Sequence, residues 1–193
     1  MKEPILEPIL RNIRISQVLP EIKKYENCNV LDIGCGWEAK FLISIEKFIA
    51  SGIGIDFKAP DMNNDKITTL EVKLQRKLPF ENESFDVVTM LAVLEHLDYP
   101  CEIIQEIERV LRPNGKLIIT VPSIYSKPVL EFLSYKLKIV NEEEIRDHKK
   151  YYNKSSLRKL FLETGLEIES HKYFQLCMNN FCIARKAAPK SPS

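Results

Sequence analysis

Two carboxylates and a pair of glycines carry the sharpest chemical signal in this 193-residue chain. In Val30-Leu31-Asp32-Ile33-Gly34-Cys35-Gly36 an apolar run ends on an acid and then turns through glycine. A strand that enters such a turn and continues into a helix lets backbone approach a ligand closely and presents helix N–H groups to it. Taken alone, Gly34-x-Gly36-x-x-Ala39 would suit a dinucleotide equally well. Asp32 sharpens the reading, because a carboxylate at the strand's end repels a pyrophosphate and attracts an ammonium or a sulfonium. Asp56 follows twenty positions after Gly36, where it can accept hydrogen bonds from both hydroxyls of a ribose.

Proton transfer near neutral pH falls to three histidines, His96, His148 and His171. His96 follows a predicted strand at the edge where an acceptor would approach, so it reads as a general base or as a packed loop histidine. His148 lies in Arg146-Asp147-His148-Lys149-Lys150-Tyr151-Tyr152, ahead of a helix, and is the second candidate base. Its alternative is a charged, solvated loop. His171 falls on a predicted strand and reads as structural. Glu95, His96 and Asp98 could form a metal set, but adjacent side chains diverge on regular structure, so no metal is expected.

These residues need a scaffold. Apolar spacing over 5–25 gives one or two N-terminal helices, interrupted at Pro20. Strands are predicted at 28–33, 52–57, 67–72, 85–90, 116–121, 166–173 and 179–185. Helices are predicted at 39–50, 99–111, 128–138 and 155–164, the last capped by Asn153 or Ser155 and closed by Gly165. Pro113 ends the 99–111 helix, and Asn114-Gly115 turns the chain into the next strand. Short apolar strands alternating with helices imply a mostly parallel α/β sheet with helices on both faces. The last two strands lack a crossover and should form an antiparallel hairpin. Residues 1–186 read as a single domain, and 187–193 as a disordered tail.

Composition excludes several classes. With 28 basic and 27 acidic residues the chain shows no nucleic-acid footprint, and no nucleic-acid partner is expected. The apolar runs fall far short of the roughly 20 residues of a membrane span. Met1-Lys2-Glu3-Pro4 lacks a signal-peptide pattern. Five cysteines without a CxxC pair fit buried thiols in a reducing cytoplasm, and a cytoplasmic location is expected.

The stretch from Val30 to Asp56 resembles motif I and the second-strand acid of class I S-adenosylmethionine (SAM)-dependent methyltransferases. The likeness continues through Leu78-Pro79-Phe80 with Ser84-Phe85-Asp86-Val87-Val88, then Leu94-Glu95-His96-Leu97, then Leu111-Arg112-Pro113-Asn114-Gly115. The histidine and aromatics ahead of the 155–164 helix are similar to those of methyltransferases acting on quinone-precursor phenols and sugars, the ubiquinone-biosynthesis-like small-molecule group.

The resemblance implies a Rossmann-like, seven-stranded sheet and SAM as cofactor. It implies that Asp32, Gly34 and Gly36 hold the amino acid end, and that Asp56 and its neighbour Phe57 meet the ribose side. By the same likeness Leu74 and Gln75 meet the adenine, and Met90 and Leu91 lie under the cofactor. The acceptor would be a small molecule with an oxygen nucleophile, under a lid carrying Tyr125, Tyr135 and Tyr151.

Two positions depart from the family pattern. Glu38 stands where a third glycine is usual, close to the expected methionyl carboxylate. Like charges about 4 Å apart cost roughly 1 kcal/mol in water and about 4 kcal/mol at an effective dielectric of 20. Glu38 therefore turns outward, or it weakens SAM binding and leaves a catalytically silent accessory or sensor protein. Leu74 stands where an aspartate often accepts from the adenine amine, a contact left to Gln75. A nicotinamide-dependent oxidoreductase is disfavoured, since no tyrosine has a lysine four residues on.

Overall fold

The computed structural model describes residues 7–127 and 148–188. The predicted 128–138 helix, Tyr135, and the predicted tail from 189 onward lie outside the described residues.

The strands are β1 (Cys28–Ile33), β2 (Ile49–Asp56), β3 (Ile67–Glu71), β4 (Phe85–Leu91), β5 (Leu111–Pro122), β6 (Leu166–Phe174) and β7 (Asn179–Lys186). They form one sheet in the order β3-β2-β1-β4-β5-β7-β6. β1 to β5 pair in parallel, and β7 pairs antiparallel with both β5 and β6. The expected Rossmann-like architecture with a C-terminal hairpin is what the chain adopts. The strand order reverses direction at β1, so the crevice between the carboxyl ends of β1 and β4 is where such sheets take ligands.

The helices are α1 (Glu7–Ile22), α2 (Lys40–Ile45), α3 (Pro100–Val110) and α4 (Lys154–Leu162). Alternation along β1 divides the core. Val30 packs with Val18, Ile22, Leu42 and Ile45 of α1 and α2. Leu31 and Ile33 pack with Ile103, Ile104 and Ile107 of α3 and Leu157 and Phe161 of α4. Helices therefore cover both faces, as expected. The three isoleucines and Val110 of α3 are fully buried. At about 1.5–3 kcal/mol each they fix the helix against the sheet. Asn153 caps α4, accepting from Ser156 N–H while the Ser156 hydroxyl accepts from Asn153 N–H.

Three boundaries differ from the sequence reading. α1 is one helix that carries Pro20 in its last turn. The predicted 39–50 helix stops at Ile45 and passes through a 3₁₀ turn (Glu46–Phe48) into β2. Phe48-Ile49-Ala50 is apolar enough for either state, and pairing of Ile49 with Cys28 decides for strand. β5 begins at Leu111 rather than 116, pairing with Phe85 before a bulge at 112–115. Asn114 there has φ 63°, and a Cβ on Gly115 would meet Arg112 O at 2.8 Å.

That bulge is held by Asp86. Its carboxylate accepts from Asn29 N–H at 2.8 Å and from Arg112 at 2.9 Å. Asp86→Ala should cost about 1–2 kcal/mol, since it orphans a half-buried amide and an arginine partly open to solvent. Urea unfolding measures this, and a loss near zero would show that the bulge holds itself.

Candidate active site

The glycine turn is stitched to β2 by backbone bonds. Gly34 and Cys35 N–H both donate to Ile55 O, at 2.8 and 3.1 Å. Gly36 N–H donates to Asp56 Oδ2 at 3.1 Å, and Lys58 N–H donates to Oδ1 at 3.0 Å. Gly34 and Gly36 have φ of 78° and 70°, the left-handed region that glycine enters at least cost. A Cβ on Gly34 would lie 2.2 Å from Val93 Cγ2, whereas one on Gly36 would meet nothing within 4 Å. So Gly34 lets the turn touch the segment after β4, and Gly36 leaves open space above the loop. The N–H groups of both glycines are committed to β2, so the turn offers a ligand close approach rather than these two donors.

Asp32 is 2% exposed and sits between Gly54 and Thr89 in the parallel register. Its Oδ1 accepts from the Thr89 hydroxyl at 2.7 Å. Burial pushes its carboxyl up to about 7, with a smaller push from the Asp56 charge and the Thr89 bond acting against both. The two acids thus feel one another across the glycine turn. Thr89 belongs to no sequence motif, and only the register of β4 on β1 reveals it. Glu38 turns outward: its carboxylate is 2.6 Å from Lys40 Nζ and its side chain is 40% exposed. The acid in the third-glycine position therefore leaves the space above Gly36 clear.

A cleft of about 600 Å³ lies between the segment after β3 and the segment after β4. Leu74 and Gln75 line one wall, and His96 lines the other with Leu97, Asp98 and Tyr99. Its size suits a nucleoside-sized ligand. Gln75 and His96 are thus brought together, while Asp32, Gly34, Gly36 and Asp56 stand outside the cleft lining. Phe57 is exposed and Leu91 is half-buried. Met90 is fully buried in the core packed on α3, so its side chain is structural packing.

The two remaining candidates meet. A 3₁₀ turn (Leu94–His96) follows β4, and Lys149 N–H donates to Glu95 O at 2.9 Å. This clasp sets the His148 ring edge-to-face on His96 with centroids 4.9 Å apart. Tyr151 Oη is 3.2 Å from His148 Nδ1. Asp98 is exposed and paired with Lys149 at 2.5 Å. His171 is held by Asn180 at 2.9 Å on β6, in keeping with a structural role.

A family model described as a methyltransferase domain matches residues 9–171. The chain belongs to that family. It is 27% identical over 172 residues to the ubiquinone biosynthesis O-methyltransferase of Aliivibrio fischeri, covering 80% of this chain and 70% of that one. It is 31% identical over 127 residues to the demethylmenaquinone methyltransferase of Lactiplantibacillus plantarum, covering 60% and 54%. Its fold is similar to that of an S-adenosylmethionine-dependent methyltransferase from Mesorhizobium loti. There the TM-score is 0.67 at 17% identity, over 89% of this chain and 95% of that one. The chain spans 36–56% of the length of the first curated relatives it matches.

A carboxyl raised on folding from 3.8 to about 7 stabilises the fold below pH 4 relative to higher pH, and that advantage drains away as pH climbs through 7. Asp32→Asn keeps the Thr89 bond without the charge. Between pH 5 and pH 8 the wild type should therefore lose about 2–3 kcal/mol relative to Asp32→Asn. Paired urea titrations at the two pH values read the difference, and parallel pH profiles would contradict it.

Proposed function

We propose that this methyltransferase-family chain moves a methyl group from S-adenosylmethionine to an oxygen of a small molecule. The observation that carries this reading is the pairing of a buried Asp32 and a loop-anchoring Asp56 around a glycine turn with open space above it. When bound, the cofactor supplies a methyl group on a positively charged sulfur, which departs as a neutral thioether.

The chain's residues fit that group. Each Asp56 oxygen accepts one backbone N–H and keeps a further lone pair for a ribose hydroxyl. Asp32, kept partly protonated near pH 7 by burial, gains its full charge where a cation stands beside it. Gln75 offers both an acceptor and a donor to the adenine edge, the contact Leu74 cannot make. Outward-facing Glu38 supports a competent site over a silent one.

On the acceptor side, His96 and His148 face each other beside the cleft. In-line displacement asks the protein mainly for orientation. A hydroxyl acceptor also loses its proton, and either imidazole can take it as the oxygen–carbon bond forms. Such assistance typically contributes 10²–10⁴-fold. The likeness to the ubiquinone biosynthesis O-methyltransferase supports an oxygen acceptor.

Calorimetry with SAM and with its demethylated product tests the cofactor half. One equivalent should bind, and Asp56→Ala should weaken it by about 1–3 kcal/mol. No heat and no thermal shift with either compound would end this reading.

A further inference from the structure

The hairpin turn between β6 and β7 is built against the preference of its own side chains. Gln175, Leu176 and Cys177 follow one another with φ of 50°, 54° and 67°, the left-handed region that glycine and asparagine enter at least cost. Leucine is a poor choice there, and no packing offsets it, since Leu176 is 93% exposed. Polar bonds hold the turn without the leucine. Met178 N–H donates to Gln175 O at 3.1 Å, and the Asn179 amide donates to Gln175 Oε1. Ser123 N–H and the Ser123 hydroxyl donate to Met178 O and Cys177 O, at 2.8 and 2.6 Å. A strained backbone position that carries an unburied apolar side chain points to a role outside the fold.

More exposed apolar side chains stand on the segments bonded to this turn. Ser123 leads into exposed Ile124 and Tyr125, and the Tyr125 ring meets Tyr173 of β6 edge-on with centroids 5.8 Å apart. The Gln175 amide donates to Leu10 O of α1, next to exposed Ile9. Apolar residues scattered singly on a surface are ordinary, whereas a cluster on joined segments marks an interaction surface. Asn179 pairs with Pro122, so the cluster stands at the carboxyl edge of the sheet, the edge that also carries the glycine turn. Its surroundings are of one sign. Neither 119–127 nor 170–183 contains an aspartate or a glutamate, in a chain with 28 basic and 27 acidic residues. Lys127 and Lys172 are exposed, and Arg11 lies two positions beyond Ile9 on α1.

We propose that this patch docks the chain on an anionic lipid surface, with Leu176 at the hairpin tip entering the acyl boundary and Lys127, Lys172 and Arg11 meeting the headgroups. An apolar tip fringed by basic side chains is the chemistry of an interfacial anchor, and tyrosine favours the headgroup level. A second copy of the chain fits less well, because a two-fold contact sets the patch against itself and brings its lysines together. The docking does not depend on the methyl-transfer reading.

Co-sedimentation of the full chain with lipid vesicles tests the surface. The chain should pellet with vesicles of phosphatidylcholine and phosphatidylglycerol in equal parts but not with phosphatidylcholine alone, and high salt should release it. Leu176→Asn suits the left-handed turn better than leucine does. That variant should unfold at the same temperature as the wild type or higher, while its affinity for the anionic vesicles falls about tenfold or more. Lys127→Gln and Lys172→Gln should each weaken binding about fivefold, the worth of one basic residue at such a surface. Failure to pellet with anionic vesicles, equal binding to both compositions, or wild-type affinity in Leu176→Asn overturns the proposal. A dimer in solution that Leu176→Asn dissociates also overturns it, by giving the patch to a second copy.

Discussion

A carboxylate with almost no access to water, at the carboxyl end of the central strand, constrains everything around it. Asp32 can occupy that place only because β4 lies beside β1 in the register that brings Thr89 level with it. The hydroxyl recovers part of the lost hydration and burial forfeits the rest, which is why this carboxyl lets go of its proton so late. A core built for stability alone would place an apolar residue there, as the same face does at Val30 and Val87. The second acid, Asp56, avoids that cost by spending its oxygens on the backbone of the turn it faces. One acid is held by a side chain on the neighbouring strand, and the other by the loop it helps to fold.

The two halves of the site are assembled by different means. The half proposed for the cofactor is local: backbone N–H groups of the glycine turn bond to Ile55 O and to the Asp56 carboxylate on the adjacent parallel strand. Such a turn is already folded when a ligand arrives, so little ordering entropy is lost on binding. The half proposed for the acceptor joins positions 94–96 to 148–152, and its rings are set by a single clasp and a chain of edge-to-face contacts.

This difference explains what could be read in advance. The strand–glycine–helix run, its two acids, the seven strands and the proline-terminated α3 all follow from short-range patterns, and the structure places them where the patterns put them. The limits of α2 and β5 did not, because Phe48-Ile49-Ala50 and Arg112–Gly115 take their state from strands distant in the chain. Glu38 left two outcomes open, and its choice depends on Lys40 two residues on, a pairing that no helical spacing suggests. The meeting of His96 with His148 was illegible. Nothing in either segment announces the other, and only the sheet's topology brings them together. Met90, expected against the ligand, is fully buried in the core packed on α3, because strand parity assigns its side chain to that interior.

The point where the chain departs after β5 is also the point to which it returns. Ser123 and Tyr152 form a parallel bridge, Ile124 N–H and Tyr152 O are bonded at 3.1 Å, and the Asn180 amide donates to both Val121 O and Tyr152 O. The excursion between them is therefore a ring closed at a fixed gate. The entropy of closing such a ring grows only logarithmically, so doubling its length costs about 0.6 kcal/mol. A longer or shorter stretch between these two points therefore costs the fold little, while the sheet beneath keeps its register.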